Sequence, residues 1–343
     1  MRRTFVAVLL CMTLSSGCAG EDSTSDRPRS LVPTRQLTLT IPDFMTSGLA
    51  WPDPDSLIVT NLPASWDGSQ PLRERAMTID PRDASAGTFV SGSNPMCDIV
   101  DYLYPTSLSD GRVGLLHRCE RYDVVSESLM AIAPRDSHQE VLAQIEPDIV
   151  TGLTWDSARD RGLVTSDQWI CAGIALVTPK GIEPLPVLVA QDDRAFRVDE
   201  DFRRGATDDC RDYGLASWPA LAPNGDVAAF FASPESVGVG GLEKPEMSWN
   251  LYLLGMDELD VRQTLHDVRF PRSPAWSPDG QWIAFAGEVG SRGSGIWLLR
   301  PSDATLKRVT TYSRAWIAWS PDGTHLAAAS QRLEILDVRR LLA

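Results

Sequence analysis

Residues that commonly carry out catalysis are few and scattered in this chain. The four histidines (His117, His138, His266 and His325) are widely separated, which disfavours a histidine-rich metal centre. The sequence has no G-x-S-x-G nucleophile elbow, no H-E-x-x-H zinc motif and no G-x-x-x-x-G-K-S/T phosphate loop. We therefore predict no catalytic residue, no cofactor and no metal ligand. The alternative is an enzyme whose carboxylates converge only in the folded chain.

Charge is concentrated in one segment, residues 191–210 of a longer loop at 191–212, where seven carboxylates lie among four arginines. The carboxylates are Asp192, Asp193, Asp199, Glu200, Asp201, Asp208 and Asp209. Calcium prefers oxygen ligands, but these acids lack the alternating spacing of an EF-hand loop, so calcium binding is a minor alternative. We expect this segment to be a loop on a binding face, because long loops on a rigid scaffold commonly carry binding residues. Solvated surface elaboration is the alternative interpretation.

The composition limits the classes of protein to which the chain can belong. Its 343 residues are 43% hydrophobic, which is enough to bury a large core and excludes a disordered chain. The net charge of −14 argues against nucleic-acid binding, because a nucleic-acid-binding surface must replace counterions with cationic side chains. Six cysteines are too few for a small disulfide-built fold, but they are enough for two or three bridges.

The first 18 residues, MRRTFVAVLLCMTLSSGC, have the form of an export signal. Arg2 and Arg3 precede an apolar stretch from Phe5 to Leu14, which is too short for a permanent transmembrane helix. The small residues before Cys18 resemble a bacterial lipobox, whose cysteine carries a diacylglyceryl group and becomes the first mature residue. Ser15 stands where the lipobox has an aliphatic residue, so ordinary cleavage nearby, with Cys18 lost or left free, is the alternative.

The N-terminal segments thus predict where in the cell the protein is located. We assign residues 1–17 to a lipoprotein signal peptide and residues 18–34, which are small, polar and proline-containing, to a flexible tether. A lipid on Cys18 would hold the folded part, residues 35–343, at a bacterial membrane on its periplasmic or extracytoplasmic face.

A repeat dominates the second half of the chain. Near copies occur as PAWSPDGQWIAFAG at 274–287 and IAWSPDGTHLAAAS at 317–330, and weaker copies begin at Ala50, Ser107, Leu153 and Pro219. The turn residues are Trp276, Pro278, Asp279 and Gly280 in one copy, and Trp319, Pro321, Asp322 and Gly323 in the other. Proline and aspartate suit the middle of such a turn, and glycine accepts the left-handed conformation that leads into the next strand. Short strands with a period of about 40–60 residues indicate a propeller.

The WSPDG units resemble the TolB-type, WD-like β-propeller family. This resemblance implies an all-β fold, and six repeat anchors imply a six-bladed propeller of four-stranded blades. The separate α/β domain that precedes the propeller in TolB is absent here, so TolB's own partners are not carried over. We expect the tryptophans ahead of the turns, including Trp51 and Trp155, to fill the space between blades.

The strand pattern also predicts how the ring closes. We expect the last blade to have strands at Ala315–Trp319, Thr324–Ser330 and Leu333–Val338, leaving no residues for a fourth. Gln36–Ile41 alternates polar and apolar residues and has no partner of its own. We predict that it supplies the missing strand, which removes two exposed sheet edges.

Four cysteines remain once Cys11 and Cys18 are set aside, and export favours disulfides. Four cysteines allow three pairings. In the propeller layout Cys97 and Cys119 lie at the same end of one hairpin, while Cys171 and Cys210 lie in consecutive loops on one face. We therefore predict the pairs Cys97–Cys119 and Cys171–Cys210, each contributing about 2–4 kcal/mol.

These expectations lead to two functional hypotheses. The first is a lipid-anchored, monomeric, non-enzymatic binding or scaffolding module for a cell-envelope protein. The second is an enzyme or sensor for a small molecule or glycan at the mouth of the central channel. A cluster of acids and histidines at that mouth would favour the enzyme, whereas a broad loop-lined surface would favour the binding module.

Overall fold

The computed structural model describes residues 30–37, 44–63, 75–90, 97, 99–121, 124–134, 138–145, 150–166, 173–191, 194–197, 215–234, 247–313, 315–330 and 332–343. The predicted signal peptide, Cys18, Cys171, Cys210 and the seven carboxylates of residues 191–210 lie outside them. No helix in the part of the chain that is described is both long enough and apolar enough to span a membrane.

The described residues form an all-β fold. The strands are β1 (Thr34–Leu37), β2 (Phe44–Asp53), β3 (Ser56–Pro63), β4 (Arg75–Ile79), β5 (Ala86–Val90), β6 (Ile99–Ser107), β7 (Val113–Arg121), β8 (Val124–Ile132), β9 (Gln139–Ile145), β10 (Val150–Asp156), β11 (Arg161–Ser166), β12 (Gly173–Thr178), β13 (Gly181–Pro184), β14 (Leu188–Gln191), β15 (Arg194–Arg197), β16 (Leu215–Leu221), β17 (Val227–Ser233), β18 (Trp249–Gly255), β19 (Val261–Trp276), β20 (Ile283–Val289), β21 (Gly293–Arg300), β22 (Thr305–Arg308), β23 (Trp316–Trp319), β24 (His325–Ala329) and β25 (Leu333–Asp337). A 3-10 turn occupies Gly290–Arg292, and a short helix, α1, occupies Arg339–Leu342.

Consecutive strands pair as antiparallel meanders. Four of the sheets have four strands each, in the orders β2-β3-β4-β5, β6-β7-β8-β9, β10-β11-β12-β13 and β1-β25-β24-β23. Strands such as Val227–Ser233 (VAAFFAS) and Ile283–Val289 are apolar on both faces. That pattern suits sheets that are covered on both sides by neighbouring sheets.

The prediction of six separate four-stranded blades is wrong in its count, because the described residues contain four such sheets. Residues 215–308 instead form one seven-stranded sheet, β16 to β22. The physical reason is the sixteen-residue strand β19, whose first half pairs with β18 and whose second half pairs with β20. Val268 faces a partner on both sides, Trp249 on β18 and Val289 on β20. No break separates the two predicted blades at this point.

A second difference concerns the segment that begins at residue 191, which was predicted to be a loop. Gln191 ends β14, and Arg194–Arg197 forms β15, so a small two-stranded sheet stands there. Val189 on β14 is fully buried beside Leu185 and Val187. The apolar run that leads into the charged segment explains this hairpin.

The predicted closure of the ring is present. β1 pairs antiparallel with β25, with Thr34 opposite Leu336 and Leu37 opposite Leu333. The paired segment is Thr34–Leu37 rather than the predicted Gln36–Ile41, of which residues 38–41 are not described. The first described strand therefore completes the sheet that contains the last one, and an edge of that sheet is covered.

Six strands lie innermost in the molecule, and these inner strands form a ring. The inner strands β2, β6, β10, β16, β19 and β23 contact one another in that order, and β23 contacts β2. Hydrophobic clusters fill the spaces between neighbouring sheets; one joins Trp51 and Leu57 to Ala327 and Leu333. This radial arrangement of sheets is a β-propeller.

Candidate functional site: the central channel

The two WSPDG turns have the same hydrogen-bond network, which is structural. Ser277 Oγ donates to Asp279 Oδ1 at 2.5 Å, and Ser320 Oγ donates to Asp322 Oδ1 at 2.6 Å. Each serine oxygen also accepts a backbone N–H from the strand that follows, at 2.9 Å in both turns. Gly280 and Gly323 both have φ of 70°, a left-handed conformation that suits glycine.

Ionisation of the turn aspartate is favoured by this network. Burial opposes the charged form of Asp322, but the hydrogen bonds from Ser320 and Thr324 together outweigh it and hold the pKa of Asp322 below its usual range. A charged Asp322 therefore belongs to the turn, where its Oδ1 atom accepts hydrogen bonds from Ser320 and Thr324.

The other repeat residues link neighbouring inner strands. Trp276 Nε1 donates to the carbonyl oxygen of Ala220, and Trp319 Nε1 donates to that of Ala275, both at 3.0 Å. A Cβ atom on Gly323 would lie 3.6 Å from Pro278 Cδ, so the proline of one turn packs beside the glycine of the next. Trp276 and Trp319 therefore each join two neighbouring inner strands.

A cavity of about 520 Å³ lies inside the ring of inner strands. It is lined by the C-terminal halves of the six inner strands and by the turns that follow them: residues 48–52, 104–109, 152–156, 218–223, 273–276 and 316–319, with Pro278 and Pro321. Tryptophan, proline, alanine and leucine predominate. This is the mouth of the central channel on the face that carries the WSPDG turns.

One level of this channel alternates aromatic and small residues. Each repeat contributes to this level the residue that lies three positions before Trp276, before Trp319 or before the corresponding residue of another repeat. In ring order these residues are Gly48, Tyr104, Gly152, Trp218, Ser273 and Trp316. Aromatic rings thus stand on every second inner strand, and each is flanked by residues too small to fill the channel.

Two of the three aromatic rings meet. The ring centroids of Trp218 and Trp316 are 5.2 Å apart, and the ring planes are inclined at 78°. Their strands, β16 and β23, are separated in the ring by β19, which places Ser273 between them. The small serine leaves the space in which the two indoles approach each other. Both tryptophans are partly exposed, and both line the cavity.

The backbone at this level is strained. Tyr104 and Trp218 have φ of 51° and 59°, and Ser273 has φ of 49°, a region that is uncommon for residues other than glycine. All three directly precede a proline and lie where the strand register shifts. Strain of this kind persists only where surrounding packing enforces it, and it is concentrated at binding and catalytic sites.

The small residues are required by close packing with the next inner strand. A Cβ atom on Gly48 would lie 2.4 Å from Pro105 Cδ, and one on Gly152 would lie 2.8 Å from Pro219 Cδ. Ser273 Oγ accepts the backbone N–H of Ile317 at 3.0 Å. Pro105 and Pro219 therefore each pack against a glycine of the neighbouring inner strand.

The lining carries almost no charge. Among the described lining residues, Asp156 is the only carboxylate, and lysine, arginine, histidine and cysteine do not occur. Asp156 Oδ2 lies 2.9 Å from Arg159 NH1, and Arg159 NH2 lies 2.5 Å from Asp226 Oδ1 on the next turn. Asp156 is therefore bound in a link between two turns.

A separate polar group lies on the sheet β6 to β9, outside the channel lining. Arg118 Nε donates to Glu127 Oε1 at 2.6 Å, and the Glu127 side chain is 1% exposed. The residue before Arg118, His117, lies beside Tyr102, and their ring centroids are 5.4 Å apart. Burial lowers the pKa of His117, which favours neutral imidazole. These residues are packed into the sheet and line no described cavity.

The sequence-predicted residues fall into three groups. Cys97 and Cys119 form a disulfide with 5.4 Å between their Cα atoms, as predicted. The repeat residues Trp276, Pro278, Trp319 and Pro321 lie at the channel mouth. Cys18, Cys171, Cys210 and the seven carboxylates of the acidic segment lie outside the described residues, and no cluster of potential metal ligands occurs in the described part of the chain.

Sequence analysis missed the residues Tyr104, Trp218 and Trp316. A usable signal was present, because each stands at a fixed distance before a repeat turn, and Tyr104 and Trp218 each precede a proline. Aligning the six repeat units by their turns, rather than by their tryptophans, would have placed all three on one level.

Comparison with known proteins shows the fold. No known protein family matches the chain by sequence, and no curated protein does so either. An α-L-arabinofuranosidase of Fusarium graminearum, solved with arabinobiose, superposes with a TM-score of 0.54 at 11% identity, covering 92% of this chain and 99% of that one. An oligogalacturonate lyase from Vibrio parahaemolyticus has a TM-score of 0.51 at 12% identity, covering 93% and 96%.

TolB proteins are also among the similar structures. TolB from Acinetobacter baumannii has a TM-score of 0.49 at 13% identity over 78% of this chain, and the chain spans 60% of the length of that TolB. At such identities the similarity concerns the fold, and the names of these proteins do not assign an activity to this one.

Proposed function

We propose that the chain is a non-enzymatic binding module of the bacterial cell envelope, and that the mouth of its central channel is the binding surface. The observation that carries this proposal is the lining of the channel, where six strands present aromatic and apolar side chains. Clefts lined mainly by such side chains, with few polar groups, are typical of binding sites. The single carboxylate, Asp156, is held by Arg159, whereas acid–base catalysis needs a positioned group that can exchange a proton.

The proposed location at the membrane rests on the N-terminal sequence. Cys18 follows an apolar segment and small residues that resemble a lipobox, and residues 19–29 provide a polar spacer before the described part. A lipid on Cys18 would hold a TolB-like, WSPDG-repeat propeller close to the membrane, as a monomer, where it would meet an envelope protein. Replacement of Cys18 by serine should release the full chain from membranes during fractionation. Retention of the variant in the membrane fraction would refute lipid anchoring.

The binding surface can be tested by site-specific photo-crosslinking in the native cell. A benzophenone amino acid would replace Ser109, an exposed residue at the channel mouth, in the full-length chain. The matched control carries the same amino acid at Arg262, an exposed position on β19 that does not line the channel. We expect a discrete covalent adduct with another protein from position 109 and none from position 262.

Two outcomes would contradict the proposed function. The first is the absence of any adduct at position 109, and the second is equal labelling at both positions, which would indicate collision without a site. Mass spectrometry of the adduct at position 109 would identify the partner.

A further inference from the structure

We propose that the three aromatic residues of the channel form a cage for a quaternary ammonium group. The inference deepens the proposed binding function and rests on it, because it names the chemical group that the channel mouth takes. The cage consists of Tyr104, Trp218 and Trp316, which share one level of the channel on alternate inner strands.

The geometry of the two tryptophans suits a cation. Their ring planes are nearly perpendicular, at 78°, with 5.2 Å between centroids, so the two rings form a corner that can present a face of each to one point. The face of an aromatic ring is electron-rich, and a cation within about 6 Å of the centroid is attracted to it. Tyr104 supplies a third ring from another inner strand.

The charge of the surroundings favours a cation over an anion. The described lining contains no lysine or arginine, and the chain as a whole carries a net charge of −14. A field of this sign raises the local concentration of cations and repels anions.

The polarity of the lining selects a quaternary ammonium over a primary one. The ammonium of a lysine carries three N–H donors, and leaving these unbonded on burial is costly. At the level of the cage, Ser273 Oγ already bonds the N–H of Ile317. Asp156, the only carboxylate among the described lining residues, is held by Arg159. A quaternary ammonium has no N–H to satisfy, so it can leave water against aromatic faces alone.

The backbone supports a role for these rings beyond packing. Tyr104 and Trp218 hold their side chains in the channel from left-handed backbone positions, at φ of 51° and 59°. Such conformations are uncommon for residues other than glycine and persist only where the surrounding packing enforces them. Pro105 packs closely against Gly48, and Pro219 packs closely against Gly152. These contacts hold both bulges in place.

Binding of choline to the full-length protein, measured by calorimetry, tests the cage. The reference ligand is 3,3-dimethyl-1-butanol, which has the shape of choline with carbon in place of the charged nitrogen. We expect choline to bind at least about tenfold more tightly than the neutral analogue, a difference of about 1.4 kcal/mol. Glycine betaine, which adds a carboxylate, shows whether the ammonium alone suffices.

Variants of the cage provide matched controls. Trp316→Leu and Tyr104→Leu remove an aromatic face and should weaken choline binding about tenfold, while binding of the neutral analogue changes less than about twofold. Trp316→Phe and Tyr104→Phe keep a ring and should retain most of the affinity. Retained binding of the neutral analogue by the Leu variants shows that their loss of choline binding does not arise from misfolding.

Three results would overturn the cage. They are the absence of choline binding, equal affinities for choline and its neutral analogue, and equal choline affinities of the Phe and Leu variants. The crosslinking experiment is independent of these results. An adduct at position 109 without choline binding would leave the binding module standing and remove the cage. Choline binding without an adduct at position 109 would support the cage and contradict the proposed protein-binding module.

Discussion

The indole nitrogen of Trp319 donates a hydrogen bond to the carbonyl oxygen of Ala275, 3.0 Å away on the neighbouring inner strand. Trp276 makes the same bond to Ala220. Trp51 occupies the corresponding position on β2, but its Nε1 atom is buried and has no hydrogen-bond partner among the described residues. One position of the repeat therefore joins neighbouring strands by a polar contact in some units and by packing alone in another.

This difference predicts unequal effects of the same substitution. Trp319→Phe keeps a buried ring and leaves the carbonyl of Ala275 without its donor, so the free energy of unfolding should fall by about 1 kcal/mol or more. Trp51→Phe removes a buried N–H that has no described partner, so its cost should be smaller. Urea denaturation of both variants measures the difference. Equal losses would show that the hydrogen bond is not what Trp319 contributes.

Close packing at the channel level predicts the effect of one added methyl group. Gly48→Ala would place a Cβ atom 2.4 Å from Pro105 Cδ and 2.8 Å from Thr60 Oγ1, so strands must shift, at a cost of about 1–3 kcal/mol. Gly87→Ala is the control, because its Cβ atom would lie 3.3 Å from the side chain of Thr78 at an exposed position. Thermal melting should separate the two variants. An unchanged Gly48→Ala melt would contradict the packing described for the channel.

Ring closure predicts a strong contrast between two adjacent residues of β1. Leu37 is 5% exposed and packs between the first and last sheets, whereas Gln36 is exposed. Leu37→Ala should destabilise the protein by about 2–4 kcal/mol, and Gln36→Ala should change stability by less than about 0.5 kcal/mol. Chemical denaturation measures both. Similar small effects would show that β1 contributes little to closing the ring.

The disulfide predicts a redox-dependent stability. Cys97 and Cys119 are 22 residues apart in sequence, so the bridge closes a loop and should contribute about 2–4 kcal/mol. The Cys97→Ala, Cys119→Ala double variant should melt at a lower temperature under oxidising conditions, and reductant should lower its melting temperature further by breaking only the predicted Cys171–Cys210 bridge. Peptide mapping without reduction also tests the predicted Cys171–Cys210 pair. A mixed pairing would contradict both bridges.

Acid should weaken one contact at the end of β25. Hydrogen bonds from the side chain of Arg339, at 2.9 and 2.5 Å, lower the pKa of Asp337 to about 2. Because the folded pKa is depressed, the stabilisation is complete above the unfolded pKa near 4 and is lost as pH falls towards 2. The difference in melting temperature between the native chain and Asp337→Asn should therefore be present at pH 7 and shrink towards pH 2. A difference independent of pH would exclude this contact as its source.

Much of the fold follows from local sequence signals. The WSPDG turns are specified by serine, proline, aspartate and glycine within five residues, and the Cys97–Cys119 pair follows from one hairpin. The continuity of β19 does not follow from such signals. Left-handed residues at Asp267, Phe270 and Ser273 lie within β19, yet the strand continues through them.

The candidate site was harder to predict for a related reason. Tyr104, Trp218 and Trp316 line one level of the channel although they are about 100 residues apart in sequence, and the strands of Tyr104 and Trp218 are bulged at that level. Periodicity within a strand carries no information about which level of a ring its residues occupy. Only the fixed distance from each residue to its turn carries that information.

The sixteen-residue strand β19 has a consequence for how the molecule opens. Native proteins exchange amide hydrogens through partial unfolding of contiguous cooperative units. Because β18 and β20 both depend on β19 for their hydrogen bonds, residues 215–308 should exchange as a single unit, with a common opening free energy. The four-stranded sheets share no strand with their neighbours and can open separately. Partial unfolding should therefore be uneven around the ring. The sheet β16 to β22 should open as one large unit, and each four-stranded sheet should open as a smaller one.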